Sequence, residues 1–336
     1  MKIGMCVKSI DSKGGIQKNY KLWFEMFKQK GIDVTLFLLE DSNYKDKNII
    51  LLEGDTISKK GEFLKKELEK REKFNLFLLN AEYLKKYINQ DYFITVHNTW
   101  ELRGNFIRRY LRLKKLKQKY QNEKLIGISK SVLDNITENL NIKVKSKTVI
   151  YAPHDIEKVR ELSKEEIKED NFIVSVGGLS KRKNYNLLIE SFNSIKDKID
   201  LNLIIIGEGK EEKNLKELIG KLNLENRVKL LGFRENPYPY IKKAKLLVSS
   251  SNSEGLPRVI VEAFVLNTPV VTTYSSKGID EIMIDRLKEF VVPKKNKEKL
   301  SIAILKALKE YPTIKEDYYT KFSLQNSFDS FIKLIK

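Results

Sequence analysis

Short apolar, β-branched runs alternate with amphipathic stretches from one end of the chain to the other. The runs predict strands at Lys2–Val7, Val34–Leu39, Asn75–Leu79, Phe93–Val96, Leu125–Ile128 and Thr148–Tyr151. A second series predicts strands at Phe172–Val176, Leu201–Ile206, Val228–Leu231, Lys245–Val248, Pro269–Thr272 and Phe290–Val292. Helical spacing marks Ile16–Lys30, Asn184–Ile195 and Glu211–Leu222 between them. Strands that are apolar on both faces and separated by helices belong to parallel sheets covered on both sides. Two such series predict an α/β protein of two Rossmann-like, doubly wound domains, with the break in the polar stretch Pro153–Asp170. The expected division is 1–155, 156–312 and a closing segment 313–336. In that segment Phe322, Phe328, Phe331 and Leu334 give Asp317–Lys336 one apolar face, which would pack back toward the N-terminal domain.

In open α/β sheets ligands sit at the carboxyl ends of strands. Gly14 and Gly15 follow the first strand, His97 ends Tyr92–Val96, and Ser129 follows Leu125–Ile128. In the second half Gly177 and Gly178, Gly207 and Gly209, Gly232, and Ser249–Ser253 occupy the same kind of place. Such clustering on one rim of each half predicts a cleft between the two domains. Gly14 and Gly15, directly before a helix, let backbone approach a phosphate or a sugar. They lack the G-x-G-x-x-G spacing, so a dinucleotide site is unsupported and a plain loop is the other reading. Val176–Ile189 reads as strand, tight turn and helix, with Lys181, Arg182 and Lys183 just ahead of the helix. Three cations there oppose the helix dipole, a conflict that a bound diphosphate would relieve.

Glu254 and Glu262 stand eight positions apart in S-E-G-L-P-R-V-I-V-E-A. The first lies in a loop beside Gly255; the second is set in an apolar helix that opens at Pro257, which suits a first helical turn. A carboxylate in such a segment is costly unless paired or hydrogen-bonded. Taken together, the two acids fit a polyhydroxyl ligand better than two unrelated ion pairs.

Composition narrows the partners. The 336 residues suit two domains, and 41 % apolar content argues against global disorder. Cys6 is the one cysteine, which excludes a disulfide framework and suits a reducing compartment. The start M-K-I-G-M-C-V-K is too short an apolar run for a signal peptide, and no run approaches the ~18 residues of a membrane span. A cytoplasmic protein, soluble or peripheral on the inner face of the membrane, is expected. Lys and Arg number 64 against 45 acids, for a net charge of +19. That excess favours anionic partners. The basic residues are dispersed and no nucleic-acid motif occurs, so nucleic-acid binding is a remote alternative. His97 and His154 are the two histidines, and no metal-ligand spacing or G-x-S-x-G elbow is found. Arg103–Lys119 carries eight basic residues and no acid. Phe106, Tyr110, Leu113, Leu116 and Tyr120 follow one helix face, with Ile107 and Leu111 beside them. Two readings fit: a surface helix packed on the core, and a face for anionic lipid headgroups.

These motifs resemble the retaining nucleotide-sugar glycosyltransferases of family 4, which have the GT-B fold. The likeness rests on E-x7-E at Glu254 and Glu262, on I-I-G-E-G-K (Ile205–Lys210) and L-G-F (Leu231–Phe233), and on N-T-P-V-V-T-T (Asn267–Thr273) with S-S-K-G-I-D-E-I (Ser275–Ile282). It is strong over Phe172–Glu281 and weaker over residues 1–155. The resemblance implies that Glu262 accepts hydrogen bonds from ribose hydroxyls and that Glu254 binds hydroxyls of the donor sugar. Backbone around Gly255, Leu256, Pro257 and Arg258 would contact sugar and phosphate. Lys183 matches the family's diphosphate-binding lysine, Gly15 its N-terminal glycine loop, and His97 a strand-end histidine near the transferred sugar. The family usually has arginine where this chain has Gly178, and glycine where it has Asn184; Lys181 or Arg182 would have to replace the arginine. The implied reaction moves a hexose or N-acetylhexosamine from a nucleotide diphosphate sugar, commonly UDP-linked, and the cationic helix points to a cell-envelope glycan or lipid-linked saccharide as the acceptor. It implies no metal and no other cofactor. A same-fold alternative is a nucleotide-sugar epimerase or a synthase with a soluble acceptor.

Overall fold

The computed structural model describes residues 1–11, 14–102 and 104–335. Within them the chain forms two compact units, Met1–His154 together with the stretch from Phe322, and Asp155–Lys321. In the first unit the strands are β1 (Lys2–Val7), β2 (Asp33–Leu38), β3 (Ile49–Leu51), β4 (Leu76–Leu79), β5 (Phe93–Val96), β6 (Lys124–Gly127) and β7 (Ser146–Val149). They lie in the order β3-β2-β1-β4-β5-β6-β7, every pair parallel. In the second, β8 (Phe172–Val176), β9 (Asn202–Ile206), β10 (Val228–Leu230), β11 (Leu246–Ser249), β12 (Val270–Thr273) and β13 (Val291–Val292) lie in the order β10-β9-β8-β11-β12-β13, again all parallel. Strand order reverses at β1/β4 and at β8/β11, the switch points where doubly wound sheets take ligands.

The helices follow in chain order: α1 (Gly15–Gln29), α2 (Ile57–Glu69), α3 (Phe106–Tyr120), α4 (Lys130–Asp134), α5 (Ile156–Leu162), α6 (Tyr185–Asn193), α7 (Glu212–Lys221), α8 (Tyr238–Lys243), α9 (Arg258–Val265), α10 (Lys297–Lys309), α11 (Asp317–Thr320) and α12 (Leu324–Ile335). Their buried faces repeat every three to four residues. In α1, Tyr20, Trp23, Phe24 and Phe27 are fully enclosed. Cys6, on β1, sits wholly inside, and burial pushes its thiol up to about 12, which makes it an inert core residue.

All twelve predicted strands occur. Most are shifted by one residue or less, while the last strand of the first sheet begins two residues early, at Ser146. β3 was absent from the sequence reading because it is a three-residue edge strand with no enclosed side chain. The predicted closing helix is two helices. Arg160 of α5 donates to the Tyr319 hydroxyl at 3.1 Å, and Tyr318 and Tyr319 are buried, which keeps α11 in the second unit. The chain then straightens: the His154 N–H donates to the Phe322 carbonyl at 2.8 Å and the Leu324 N–H donates to the His154 carbonyl at 3.1 Å. The C-terminal boundary therefore falls at Phe322 and not at 313.

α12 then docks on α1. Trp23 Nε1 donates to Ser327 Oγ at 2.9 Å, and the Phe331 ring lies edge-on to Trp23 and Phe27 with centroids 5.3 and 5.2 Å away. Truncating a fully enclosed aromatic leaves a cavity beside two others. The Phe331→Ala variant is expected to lose about 3–5 kcal/mol in denaturant unfolding, whereas Phe106→Ala, at an exposed position, should fall within about 0.5 kcal/mol of wild type.

Candidate functional site

The carboxyl ends of β8 and β11 flank the switch point of the second sheet, and the predicted residues after each strand meet there. After β8 the backbone turns through Gly177 and Gly178 into Ser180–Asn184, whose last residue adopts a left-handed conformation at φ 52° before α6. After β11 the serine run leads through Asn252 to Glu254. Backbone and side chain join the two segments. The Asn252 N–H donates to the Arg182 carbonyl at 2.7 Å, its Nδ2 donates to the Lys181 carbonyl at 3.1 Å, and Ser250 Oγ donates to the Lys183 carbonyl at 3.0 Å.

That stitching brings two cations onto one carboxylate. Lys183 Nζ lies 2.8 Å from Glu254 Oε1, and Arg182 Nη1 donates to Oε2 at 2.5 Å and to the Ser253 carbonyl at 3.1 Å. Ser251 Oγ donates to Oε1 at 2.8 Å. The Glu254 side chain is 9 % exposed, Lys183 16 % and Arg182 54 %, so one cation is enclosed and the other is solvated. Burial alone would raise the Glu254 carboxyl; Lys183 and then Arg182 outweigh it and hold the carboxyl below its ordinary range.

Two neighbouring glycines are required by steric approach. At Gly207, φ is +151° and a Cβ would lie 2.0 Å from the Gly177 carbonyl oxygen. At Gly209, φ is +157° and a Cβ would lie 2.3 Å from the Leu179 carbonyl oxygen. The loop after β9 is thus pressed backbone to backbone on the loop after β8. Gly177 serves the lysine: a Cβ there would crowd Lys183 Cε at 2.8 Å. Gly178 differs, since a Cβ would meet nothing nearer than the Glu208 carbonyl at 3.6 Å. The fold leaves room for a Cβ where the resemblance expects arginine.

The second glutamate sits on α9. Pro257 takes the N-cap and the helix opens at Arg258, one residue later than the sequence suggested. Glu262 is buried, with Oε1 4.0 Å from Arg258 Nε one turn back, an ion pair longer than a hydrogen bond. Burial lowers Arg258, opposed by Glu262 and Tyr238, and burial then Glu262 raise Tyr238. Tyr238, twenty residues upstream, gave no signal in the sequence. Leu256 is buried, and the Gly255 carbonyl accepts from Ser276 Oγ at 3.1 Å.

In the first unit Gly14 caps α1 and Gly15 opens it, and a Cβ at Gly15 would meet nothing within 4 Å. His97 is buried in a polar cluster. Asn19 Nδ2 donates to Nδ1 at 3.3 Å, which leaves the Nε2 proton to Thr95 Oγ1 at 3.1 Å; Thr95 also bonds the Tyr20 hydroxyl at 2.9 Å. Burial, with Lys119 adding repulsion, lowers His97 to about 3. The ring is neutral at physiological pH and both nitrogens are engaged within its own unit. Among the described residues, no three His, Cys, Asp or Glu side chains gather as metal ligands. Arg103 lies outside the described residues.

A carboxyl whose folded pKa lies below its unfolded value adds stability above the ordinary value, 4.5, and loses it as pH falls through the folded value. At neutral pH Glu254→Gln is expected to cost about 2 kcal/mol, since it leaves Lys183 enclosed without its anion. The gap between wild type and variant should narrow steadily below pH 4.5 in urea titrations. A gap independent of pH would contradict the ion-pair account.

Residues 155–322, nearly coextensive with the second unit, match the family Glycosyl transferases group 1. The chain is 38 % identical over 158 residues to the Campylobacter jejuni N-acetylgalactosamine-N,N'-diacetylbacillosaminyl-diphospho-undecaprenol 4-alpha-N-acetylgalactosaminyltransferase, covering 47 % of this chain and 43 % of that one. It is 28 % identical over 186 residues to the Bacillus subtilis poly(glycerol-phosphate) alpha-glucosyltransferase, covering 55 % and 27 %. The matched stretch is thus less than half the length of either relative. Among solved structures, Anabaena HepE in complex with UDP aligns over 100 % of this chain and 99 % of its own, with TM-score 0.81 and 18 % identity. The likeness in structure fixes the fold as GT-B. By the match over half its length, the chain belongs to the group 1 glycosyl transferases.

Proposed function

We propose that this protein is a retaining, metal-independent glycosyltransferase that moves a hexose or N-acetylhexosamine from a UDP-sugar to a hydroxyl of a cell-envelope glycan or lipid-linked saccharide. It would work in the cytoplasm, peripherally on the inner face of the membrane. The observation that carries the reading is the Lys183–Glu254–Arg182 cluster at the switch point of a group 1 glycosyl transferase unit. The Campylobacter relative's name specifies a diphospho-undecaprenol acceptor, and HepE is known with UDP and with UDP-glucose, which supports donor and acceptor classes of this kind. No helix among the described residues is long and apolar enough to cross a membrane.

The chemistry follows from where charge develops. Breaking the anomeric C–O bond leaves negative charge on a diphosphate, and cations already in place stabilise it without reorganisation. Lys183 and Arg182 would pass from Glu254 to the diphosphate, which frees the Glu254 carboxylate to accept hydrogen bonds from the sugar hydroxyls. Glu262, with its long contact to Arg258, would accept from the ribose. The acceptor oxygen then bonds to the anomeric carbon on the face the phosphate leaves, and the departing phosphate oxygen takes the acceptor's proton. Neither glutamate acts as a glycosidase-type nucleophile. Lys183 takes the charge-neutralising part that a divalent cation plays elsewhere.

Thermal shift over a panel of UDP- and GDP-sugars tests the donor, and product analysis with and without a lipid-linked saccharide tests the transfer. Lys183→Ala is expected to lower kcat/KM about 10²–10³-fold. Glu262→Ala should weaken UDP binding about tenfold with smaller effect on kcat, and Glu254→Ala should act mainly on kcat. Activity should persist in excess EDTA. Wild-type turnover by the lysine variant, loss of activity in chelator, or an epimerised sugar from donor alone would each overturn the reading.

Gly178→Arg restores a cation at a position that accepts a Cβ. It is expected to tighten UDP binding about tenfold by calorimetry, the scale of one added charged hydrogen bond. Unchanged or weaker binding would place the diphosphate away from the end of β8.

A further inference from the structure

We propose that the N-terminal half of α3 is the surface by which this protein docks on an anionic lipid bilayer. Of its fifteen residues, seven are Lys or Arg and none is acidic. The sequence allowed the apolar stripe of this helix to be ordinary core packing. The structure buries only Leu116 and Tyr120, near its last turn. That end is fastened: Lys85 Nζ donates to the Gln118 carbonyl at 2.8 Å, and Lys119 Nζ lies 2.8 Å from Glu82 Oε1.

The other end carries its large apolar side chains in solvent. Phe106 is 83 % exposed, Ile107 65 %, Tyr110 58 % and Leu111 51 %. At about 3.6 residues per turn these four share one side of the helix with Lys114 and Lys117. Four adjacent exposed apolar groups rimmed by cations are not what a solvated helix needs; they form a wedge with a charged collar. Alongside lies an open hollow of ≈ 480 Å³ lined by Tyr110, Leu113, Lys114, Lys117 and Gln118, so two of the lysines border it. Aromatic and aliphatic tips would enter the headgroup–acyl boundary while the lysines meet lipid phosphates.

Charge selects this occupant over others. A second copy would set seven like charges against seven. A nucleic acid would match the cations and leave Ile107 and Leu111 in water, since strand binders stack bases on aromatics. The inference gives a physical means to the peripheral location in the proposed function and rests on that reading only for which membrane is met. Vesicle binding needs neither donor nor acceptor, and the UDP thermal shift of each variant reports the donor site separately.

The test is flotation of the full chain with phosphatidylcholine vesicles, with and without phosphatidylglycerol, at low and high salt. Binding is expected only with the anionic lipid, weakened but not abolished by salt. Lys114→Glu with Lys117→Glu should lower binding at low salt by about tenfold or more. Phe106→Ser with Ile107→Ser and Leu111→Ser should abolish the salt-resistant part, and all of these positions are exposed enough to leave folding intact. In Phe106→Trp, the new fluorophore should be quenched by brominated acyl chains. The proposal is overturned by no flotation with anionic vesicles at low salt, or by equal flotation with neutral ones. It is also overturned if the triple serine variant binds as wild type does, or if an oligonucleotide displaces the protein at equal phosphate concentration.

Discussion

The carboxylate of Glu254 is the constraint on which the second unit is organised. A charge with so little exposure is tolerable only if cations reach it, and the nearest cations belong to a turn some seventy residues earlier in the chain. The turn after β8 and the loop after β11 must therefore meet, which adjacent parallel strands at a switch point make unavoidable. Asn252 and Ser250 fix that meeting through carbonyls of Lys181, Arg182 and Lys183. The glycines follow from the same demand. Gly177 clears a path for the Lys183 stem, and Gly207 lets the next loop press against Gly177. Structure and chemistry therefore call for the same residues here, and a glycine-rich rim alone would not have separated them.

Much of this was legible in the sequence because parallel sheets buried on both faces write long apolar runs. All twelve runs became strands. What escaped had little burial to write it: β3 is short, on an edge, and half covered. The closing segment read as one helix because Phe322, Phe328, Phe331 and Leu334 give it one apolar face. Periodicity shows that a face is covered and not what covers it; Arg160 and Tyr319 hold one part in the second unit, while His154 and Trp23 hold the other in the first. The same limit applies to α3, whose stripe was visible and whose exposure was not. At the site, the two glutamates and Lys183 stood out by residue type in an apolar setting. Tyr238, coupled electrostatically to Arg258 and Glu262, did not, since a half-buried tyrosine at the start of a short helix carries no mark of its own in the sequence.

The two units use polarity differently. In the first, the residues gathered between α1 and the end of β5 are neutral: Asn19, Tyr20, Thr95 and a histidine held uncharged by burial. In the second, they are charged and compensated within the fold. A neutral, hydrogen-bonded cluster fixes geometry and offers no charge to a ligand, whereas a carboxylate between two cations keeps full charges in place at the loop ends. The family match over 155–322 coincides with the charged half.

The vacancy at Gly178 bears on how that exchange would run. An arginine at the end of β8 would approach from the strand, fixed by the sheet. Here the second cation comes from Arg182, four residues on, at the lip of the turn. It is 54 % exposed while Lys183 is 16 %, so the pair is one enclosed cation and one solvated cation. Surface ion pairs are weakly held and salt-sensitive, and enclosed ones are not. In the proposed reaction Arg182 would leave Glu254 for the diphosphate first, while Lys183 would keep the carboxylate in place until the anion had arrived. Under that proposal, the order of release would follow from the unequal burial of two neighbouring side chains.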